Sequence, residues 1–342
     1  MELRLIEAVL PKEKKEDIQT LLSKENIVDF WREEIVEDKI IFQILVDAIL
    51  SEKLIDKLSR KFSKDERFRI VSMDVKTTLP LPQQEISKTK HIRVSIPELY
   101  NAIVSSIEIN YIFITMIVLS TIIAAFGLYK NSGAIIIGAM VIAPLLSPNI
   151  AVSFATVLGD LELEKKGIAA FLIGCFIALL LSVAIGCFLN IDVDNFAIKS
   201  KIAVNYPDLI IAFVSGVAGT LAFTTGQMMG LVGVMVAISL LPPLVNTGLL
   251  ISNGYFLYAT GSFLLFLANF ASLNLAGVLT FLFQGVKPRK WWEEKKAKEH
   301  RIKAIILWMI LIFILIFAIF AEKKFLAKKR LFQENKIYYF KK

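Results

Sequence analysis

GAMVIAPLLSP, from Gly138 to Pro148, and GVMVAISLLPP, from Gly233 to Pro243, are two hydrophobic segments with the same punctuation. Superposed at an offset of 95 residues (233 minus 138), they align Gly138 with Gly233 and Met140 with Met235. The same offset aligns Leu145-Leu146 with Leu240-Leu241 and Pro148 with Pro243. Matches between Val and Leu mean little in apolar sequence. The Gly and Pro register carries the weight, because both residues change what the backbone can do. A matched interruption in two halves of a membrane protein points to a binding or permeation site.

The surrounding composition is that of a membrane protein. Of the 342 residues 56% are hydrophobic and 11% aromatic, with a mean hydropathy of +0.62. Charge is concentrated in 1–98 and 287–303. Seven apolar runs are long enough to cross a hydrocarbon core of about 30 Å: 111–129, 132–158, 167–189, 207–223, 228–252, 255–283 and 302–321. The opening MELRLIEAVLP lacks a basic region followed by an apolar run, so no cleavable signal peptide is expected. The net charge of +8 fits basic cytoplasmic faces and comes with no nucleic-acid motif. Cys175 and Cys187 share one run and read as apolar filler, and His91 and His300 are far apart. No metal or cofactor site is expected.

Residues 1–76 read as a soluble α+β domain. Strand patterns at Leu3–Leu10, Ile27–Val36, Lys39–Asp47 and Phe68–Val75 alternate with amphipathic helices at Lys12–Lys24 and Ser51–Ser63. The order βαββαβ suggests a ferredoxin-like split βαβ fold, serving as a docking or regulatory domain. Residues 77–110 follow as a polar linker and an interfacial helix. That helix runs from Pro97 to Asn110, with Ser95 as cap and a stripe of Ile96, Tyr100, Ile103 and Ile107.

The offset extends beyond the two segments. It maps 111–129 onto 206–224 and 167–189 onto 262–284, so membrane repeat 1 spans 111–189 and repeat 2 spans 206–284. Three crossings per unit make the second repeat inverted. Basic residues precede the first span (Lys88, Lys90, Arg93) and follow the sixth (Lys287, Arg289, Lys290). The positive-inside rule therefore puts the head on the cytoplasmic side. Residues 285–342 hold a basic segment, the run 302–321 and a basic tail; if 302–321 crosses, the tail lies on the wrong side for that rule.

Proline removes an amide donor and frees the carbonyl four residues back. Pro144 would free Met140 and Pro148 would free Pro144, while Pro242 and Pro243 would free Ile238 and Ser239. In lipid such carbonyls must face protein, water or an ion. Ser147, Asn149 and Ser153 gather at one interruption, Ser239, Asn246 and Thr247 at the other, and Asn269 with Ser272 could join them. Proline kinks and span asparagines also serve plain packing, but two at equivalent positions favour a cavity. The substrate- or ion-binding set is thus Met140, Pro144, Ser147, Pro148, Asn149, Ile238, Ser239, Pro242, Pro243, Asn246 and Asn269.

No Asp, Glu, Lys, Arg or His lies in the interior of a core span. That argues against a proton relay and leaves no nucleophile–base or metal constellation for an enzyme. Asp160, in the loop GDLELEKKG, reads as a solvated charge. Gly174, Ala178, Ser182 and Gly186 form a ridge of small residues at a period of four, suited to internal packing or to a seam between two copies.

The stretch NSGAIIIGAMVIAPLLSP, Asn131 to Pro148, resembles the signature of a prokaryotic membrane family, the uncharacterised hydrophobic proteins with domain of unknown function 389. The similarity covers about 115–270 and implies the membrane architecture without a substrate. A transporter or channel-like permease for a small solute or ion is the expected function. The alternative is a non-transporting membrane sensor or scaffold that oligomerises through its core and binds a partner through the head.

Overall fold

A two-residue period builds the N-terminal sheet. Ile6, Ala8 and Leu10 of β1 (Leu3–Pro11) and Ile40, Phe42 and Ile44 of β3 (Lys39–Asp47) are fully buried, and the residues between them are more open. β2 (Asp29–Ile35) pairs with β3, and β4 (Arg69–Val75) with β1. The sheet order is β2-β3-β1-β4 and every pairing is antiparallel. After a tight turn at Lys12–Lys14, α1 (Lys15–Leu22) contributes Ile18 and Leu22 to the core. α2 (Ala48–Phe62) adds Leu54, Leu58 and Phe62 at spacings of four, one side of a helix. Arg4 ends the buried stripe of β1 and pairs with Asp74 (3.3 Å) and Glu98 (2.6 Å).

The computed structural model describes residues 3–35, 39–63, 65, 67–75, 78, 96–225 and 229–287, with 298–299, 301–303, 305–310 and 313 beyond them. The side chains of 34–35, 48–49, 52 and 229–239 fall outside that description. The chain divides into two units, Met1–Leu99 and Tyr100–Lys342.

α3 (Ile96–Ser106) stops four residues short of the expected Asn110. The Asn110 side chain instead accepts the amide of Phe113 at 2.9 Å and caps α4 (Tyr111–Tyr129). Leu99, Ile103 and Ile107 form the buried stripe, while Ile96 and Tyr100 are half-buried. The second unit continues with α5 (Gly133–Ile142), α6 (Leu146–Leu158), α7 (Leu161–Gly186), the short α8 (Phe196–Lys199), α9 (Tyr206–Thr225), α10 (Met229–Ser252) and α11 (Phe256–Phe283).

Among the described residues α4, α7, α9 and α11 are each long and apolar enough to cross a membrane, and α5 with α6 makes one more such segment. This is the architecture of a multi-pass membrane protein. α7 shows the physical signature: Leu172, Phe176 and Leu180 are exposed, while Gly174, Ala178, Ser182 and Gly186 are buried. Large apolar groups face outward and small ones inward, the packing that suits lipid. The small-residue ridge is occupied within the chain. A Cβ on Gly174 would meet Ile117 at 2.8 Å, and one on Gly186 would meet the Leu249 backbone at 3.1 Å. Most of the expected span 302–321 lies outside the described residues.

The two interruptions differ from expectation. The run 132–158 is two helices bent by 54° at Ala143–Leu145. Ala143 is extended (φ −67°, ψ 118°), because a residue before proline is pushed out of the helical region. Pro148 breaks nothing: it sits in the first turn of α6, where no amide donor is needed. α10 runs unbroken through Pro242 and Pro243. The decisive proline is Pro144, and the offset of 95 puts Ser239 in its place, so the second segment keeps the donor that the first lacks.

Asp160 is no free loop charge. Its carboxylate accepts the amides of Glu162 (3.1 Å) and Leu163 (3.0 Å), capping α7, and the hydroxyl of Tyr100 donates to it at 3.0 Å. Partial burial and this bond to a carboxylate push the Tyr100 phenol above its ordinary pKa.

The segment 190–205 is pinned by asparagines. Asn195 donates to the carbonyls of Leu128 (3.0 Å) and Tyr129 (3.2 Å), and its Oδ1 caps α8. Asn131, at φ 54°, accepts the amide of Ala197 at 2.9 Å. Ile198 and Val204 are thereby held almost fully buried. Asn195→Ala removes both donors and the cap, a cost of about 1–2 kcal/mol. Amide exchange across 196–204 is expected to rise about tenfold with little change elsewhere; exchange as slow as in the wild type would mean that Asn195 does not hold the segment.

Candidate functional site: a polar seam between two core helices

Asn149, Ser153 and Thr156 lie at i, i+4 and i+7 on α6, a single face climbing about 10 Å. All three are buried, at 3%, 2% and 1% exposure. α11 meets this face with Asn274, itself fully buried. The Asn274 amide donates to Asn149 Oδ1 at 3.0 Å and to the Phe270 carbonyl at 2.9 Å. Ser153 donates to the carbonyl and the Oδ1 of Asn274, both at 3.3 Å. Asn149 spends its own amide on the Leu145 carbonyl at 2.8 Å, beside the break at Pro144. The break and the polar face are therefore one structure.

Close approach is possible because residue 277 is glycine. A Cβ there would lie 2.6 Å from Ser153 Oγ and 2.8 Å from Ser153 Cβ. Above this point Phe154 packs on Phe281, with ring centroids 5.2 Å apart. Thr156 is the exception on the face. Thr121, Ser182, Thr220, Thr247 and Thr280 each return their hydroxyl to the carbonyl four residues back, at 2.7–2.9 Å. Thr156 Oγ1 is buried without a partner. A polar atom in that state carries a desolvation cost and marks a place where a ligand atom would be welcome.

The residues expected from sequence are only partly brought together. Asn149 and Ser153 join the seam, Pro144 sets the break, Met140 and Pro148 are buried on either side of it, and Ser147 is half-buried. Asn246 goes elsewhere. Its amide donates to the Ile198 carbonyl (3.2 Å) and to Ser262 Oγ (2.8 Å), and Ser262 donates to the Lys201 carbonyl (2.6 Å). That arrangement fixes the amide's orientation and leaves Asn246 Oδ1 buried without a partner. Pro242 and Pro243 are buried inside α10, and Thr247 donates to the Pro243 carbonyl at 2.8 Å. Asn269 and Ser272 are buried on α11. The side chains of Ile238 and Ser239 lie outside the described residues.

Asn274, Thr156 and Ser262 were not anticipated. The spacing of Asn149, Ser153 and Thr156 on one helical face was the available signal for α6. Nothing in the sequence pairs Asn149 with Asn274, 125 residues away. Chemically the seam offers neutral oxygens and amides. Such a set suits an uncharged polar solute, or a cation that exchanges part of its hydration shell.

Residues 140–275 match the family model described as Domain of unknown function (DUF389). An uncharacterized protein of Methanocaldococcus jannaschii is 35% identical over 320 residues, covering 93% of this chain and 99% of that protein. No solved structure matches the chain.

Proposed function

The chain belongs to the DUF389 family, and we propose that it is a permease of the cytoplasmic membrane whose solute path follows the seam between α6 and α11. The observation that carries this reading is the break at Pro144, which feeds α6 directly into a buried polar face holding an unpartnered hydroxyl. Broken helices at a repeat interface are how many transporters expose backbone and polar groups to a solute. Of the expected binding set the proposal keeps Asn149, with Pro144 as its hinge, and adds Ser153, Thr156 and Asn274.

An inverted-repeat design is part of the proposal, and several features support it. With the offset of 95, α4 falls on α9 and α7 on α11, with first residues in register: 111 on 206 and 161 on 256. Gly159 and Gly254, also 95 apart, both end their helices in the left-handed region, at φ 72° and 78°. Contacts across the repeats come in exchanged pairs. Ser153 against Gly277 corresponds to Gly248 against Ser182, and Phe154 against Phe281 to Leu249 against Gly186. A two-fold relation between repeats produces such pairs. The site itself is one-sided, since Asn149 and Asn274 correspond to Leu244 and Leu179.

For the head, the βαββαβ order with sheet order β2-β3-β1-β4, antiparallel throughout, supports a ferredoxin-like fold. Lys and Arg flanking the spans support a cytoplasmic position for it. The competing scaffold reading draws on the tight glycine contacts of the core.

Flux into proteoliposomes separates the two. A panel of monovalent cations and small uncharged solutes is expected to include one that the wild type admits and Asn149→Leu/Asn274→Leu excludes. Undiminished flux in the double variant would remove the seam as the path. A wild type that passes no member of the panel would favour the scaffold.

A further inference from the structure

We infer that Asn246 is a ligand of a monovalent-cation site where α8, α10 and α11 meet, apart from the Asn149–Asn274 seam. Two acceptors of fixed direction converge on its amide. One is the carbonyl of Ile198 in α8, 3.2 Å from Asn246 Nδ2. The other is Ser262 Oγ, at 2.8 Å. Ser262 spends its proton on the Lys201 carbonyl at 2.6 Å, so only its lone pairs face Asn246. Asn246 meets both acceptors with its NH2 group, and its Oδ1, in a fully buried residue, has no partner.

Other asparagines show what this amide forgoes. Asn149, Asn253 and Asn274 each donate Nδ2 to the carbonyl four residues back, on Leu145, Leu249 and Phe270, at 2.8–3.0 Å. The equivalent carbonyl for Asn246 is that of Pro242, and its Nδ2 goes elsewhere. Turned end for end, the amide would donate to Pro242 as the other three do to their carbonyls. Oδ1 would then take the place of Nδ2, beside the Ile198 carbonyl and Ser262 Oγ. Three oxygens with no proton between them repel one another, and a cation among them removes the repulsion and gives Oδ1 its partner. The donor set decides the class of ion. It is an amide, a carbonyl and a hydroxyl, all neutral, while Asp194 is exposed and paired with Lys199 at 2.9 Å. Divalent cations are held by carboxylates, and neutral oxygens suit an alkali ion. Ile198 contributes a ligand and Lys201 orients Ser262, so the ion braces the segment 196–204 against α10 and α11. Gly261 admits that segment, since a Cβ there would collide with the Ile202 carbonyl.

Full-length protein in detergent micelles, melted in LiCl, NaCl or KCl against N-methyl-D-glucamine chloride at equal ionic strength, tests the site. One alkali ion is expected to raise the melting temperature saturably, by a few degrees. The same ion is expected to slow amide exchange across 196–204 about tenfold, with little change elsewhere. Asn246→Asp keeps the side chain's shape and adds a charge, and is expected to lower the half-saturating concentration roughly tenfold or more. Asn246→Leu is expected to abolish the ion's effect. Equal melting in all four salts would overturn the site, and is the result that an ordered water on Oδ1 would give. An undiminished ion effect in Asn246→Leu, or wild-type ion affinity in Asn246→Asp, would overturn it as well. Every readout is binding rather than flux, so the site stands or falls separately from the permeation path.

Discussion

Gly277→Ser is expected to destabilise the protein by about 3 kcal/mol, and adding Ser153→Gly is expected to recover most of that loss. The single change drives a Cβ to 2.6 Å from Ser153 Oγ and 2.8 Å from its Cβ, which neither backbone can relieve without parting α6 from α11. The double change moves the serine from one helix to the other. The same pair of residues already meets at Gly248 and Ser182, where the glycine is on α10 and the serine on α7. Ser182 satisfies its hydroxyl within its own helix, on Ala178 (2.7 Å) and Leu179 (2.9 Å), and a serine at 277 could do the same on Leu273. The remaining deficit would be the two long bonds from Ser153 to Asn274, about 1 kcal/mol. Thermal unfolding in micelles measures both variants. A double variant no more stable than Gly277→Ser would reject the two-fold relation between these contacts.

The second large effect concerns the seam. Asn274→Leu strands Asn149 Oδ1, an acceptor in a residue 3% exposed, at a cost of about 2–3 kcal/mol. Asn149→Leu/Asn274→Leu removes both partners and preserves the heavy-atom count of each side chain. It also reproduces Leu244 and Leu179 at the corresponding positions. Stability is expected to return to within about 1 kcal/mol of the wild type, because a matched apolar pair replaces a matched polar one. Flux is expected to be lost in both variants. A stable double variant without flux identifies the asparagines as serving the solute. Flux at wild-type level in the stable double variant would identify them as interhelical glue.

The head was legible almost throughout. Its strands and helices appear within a few residues of where alternation and i, i+3, i+4 spacing put them, since one buried face per element writes itself into the sequence. The six core runs were legible for a different reason, the length of their uncharged apolar stretches, which locates a helix without saying which face it buries. What failed were the ends and the breaks. Asp160 reads as a loop charge and Asn110 as the end of the preceding helix, because a cap is defined by which amide its carboxylate or amide side chain meets. Pro144, Pro148, Pro242 and Pro243 looked alike, yet one opens a helix, one begins a helix and two lie within one. A proline's effect depends on where the helix starts, and local composition does not carry that.

Gly159 and Gly254 lie 95 residues apart, a correspondence the sequence did contain and the offset alone would have found. Their value as helix ends is visible only once both show positive φ.

By itself the sequence determined that this protein spans a membrane, carries a folded α+β head, and has no Asp, Glu, Lys, Arg or His in the interior of its core spans. These are properties of period, length and composition, which a linear chain holds in full. Only the tertiary structure decided that Asn149 meets Asn274 rather than Asn246, that the small-residue ridge of α7 is spent inside the chain, and that just one of the two proline segments bends. Each depends on which helix faces which, and in an apolar core that choice turns on the fit of a few small side chains. Gly248 and Gly186 let α7 and α10 close, and Gly277 lets α6 and α11 close where the polar seam lies.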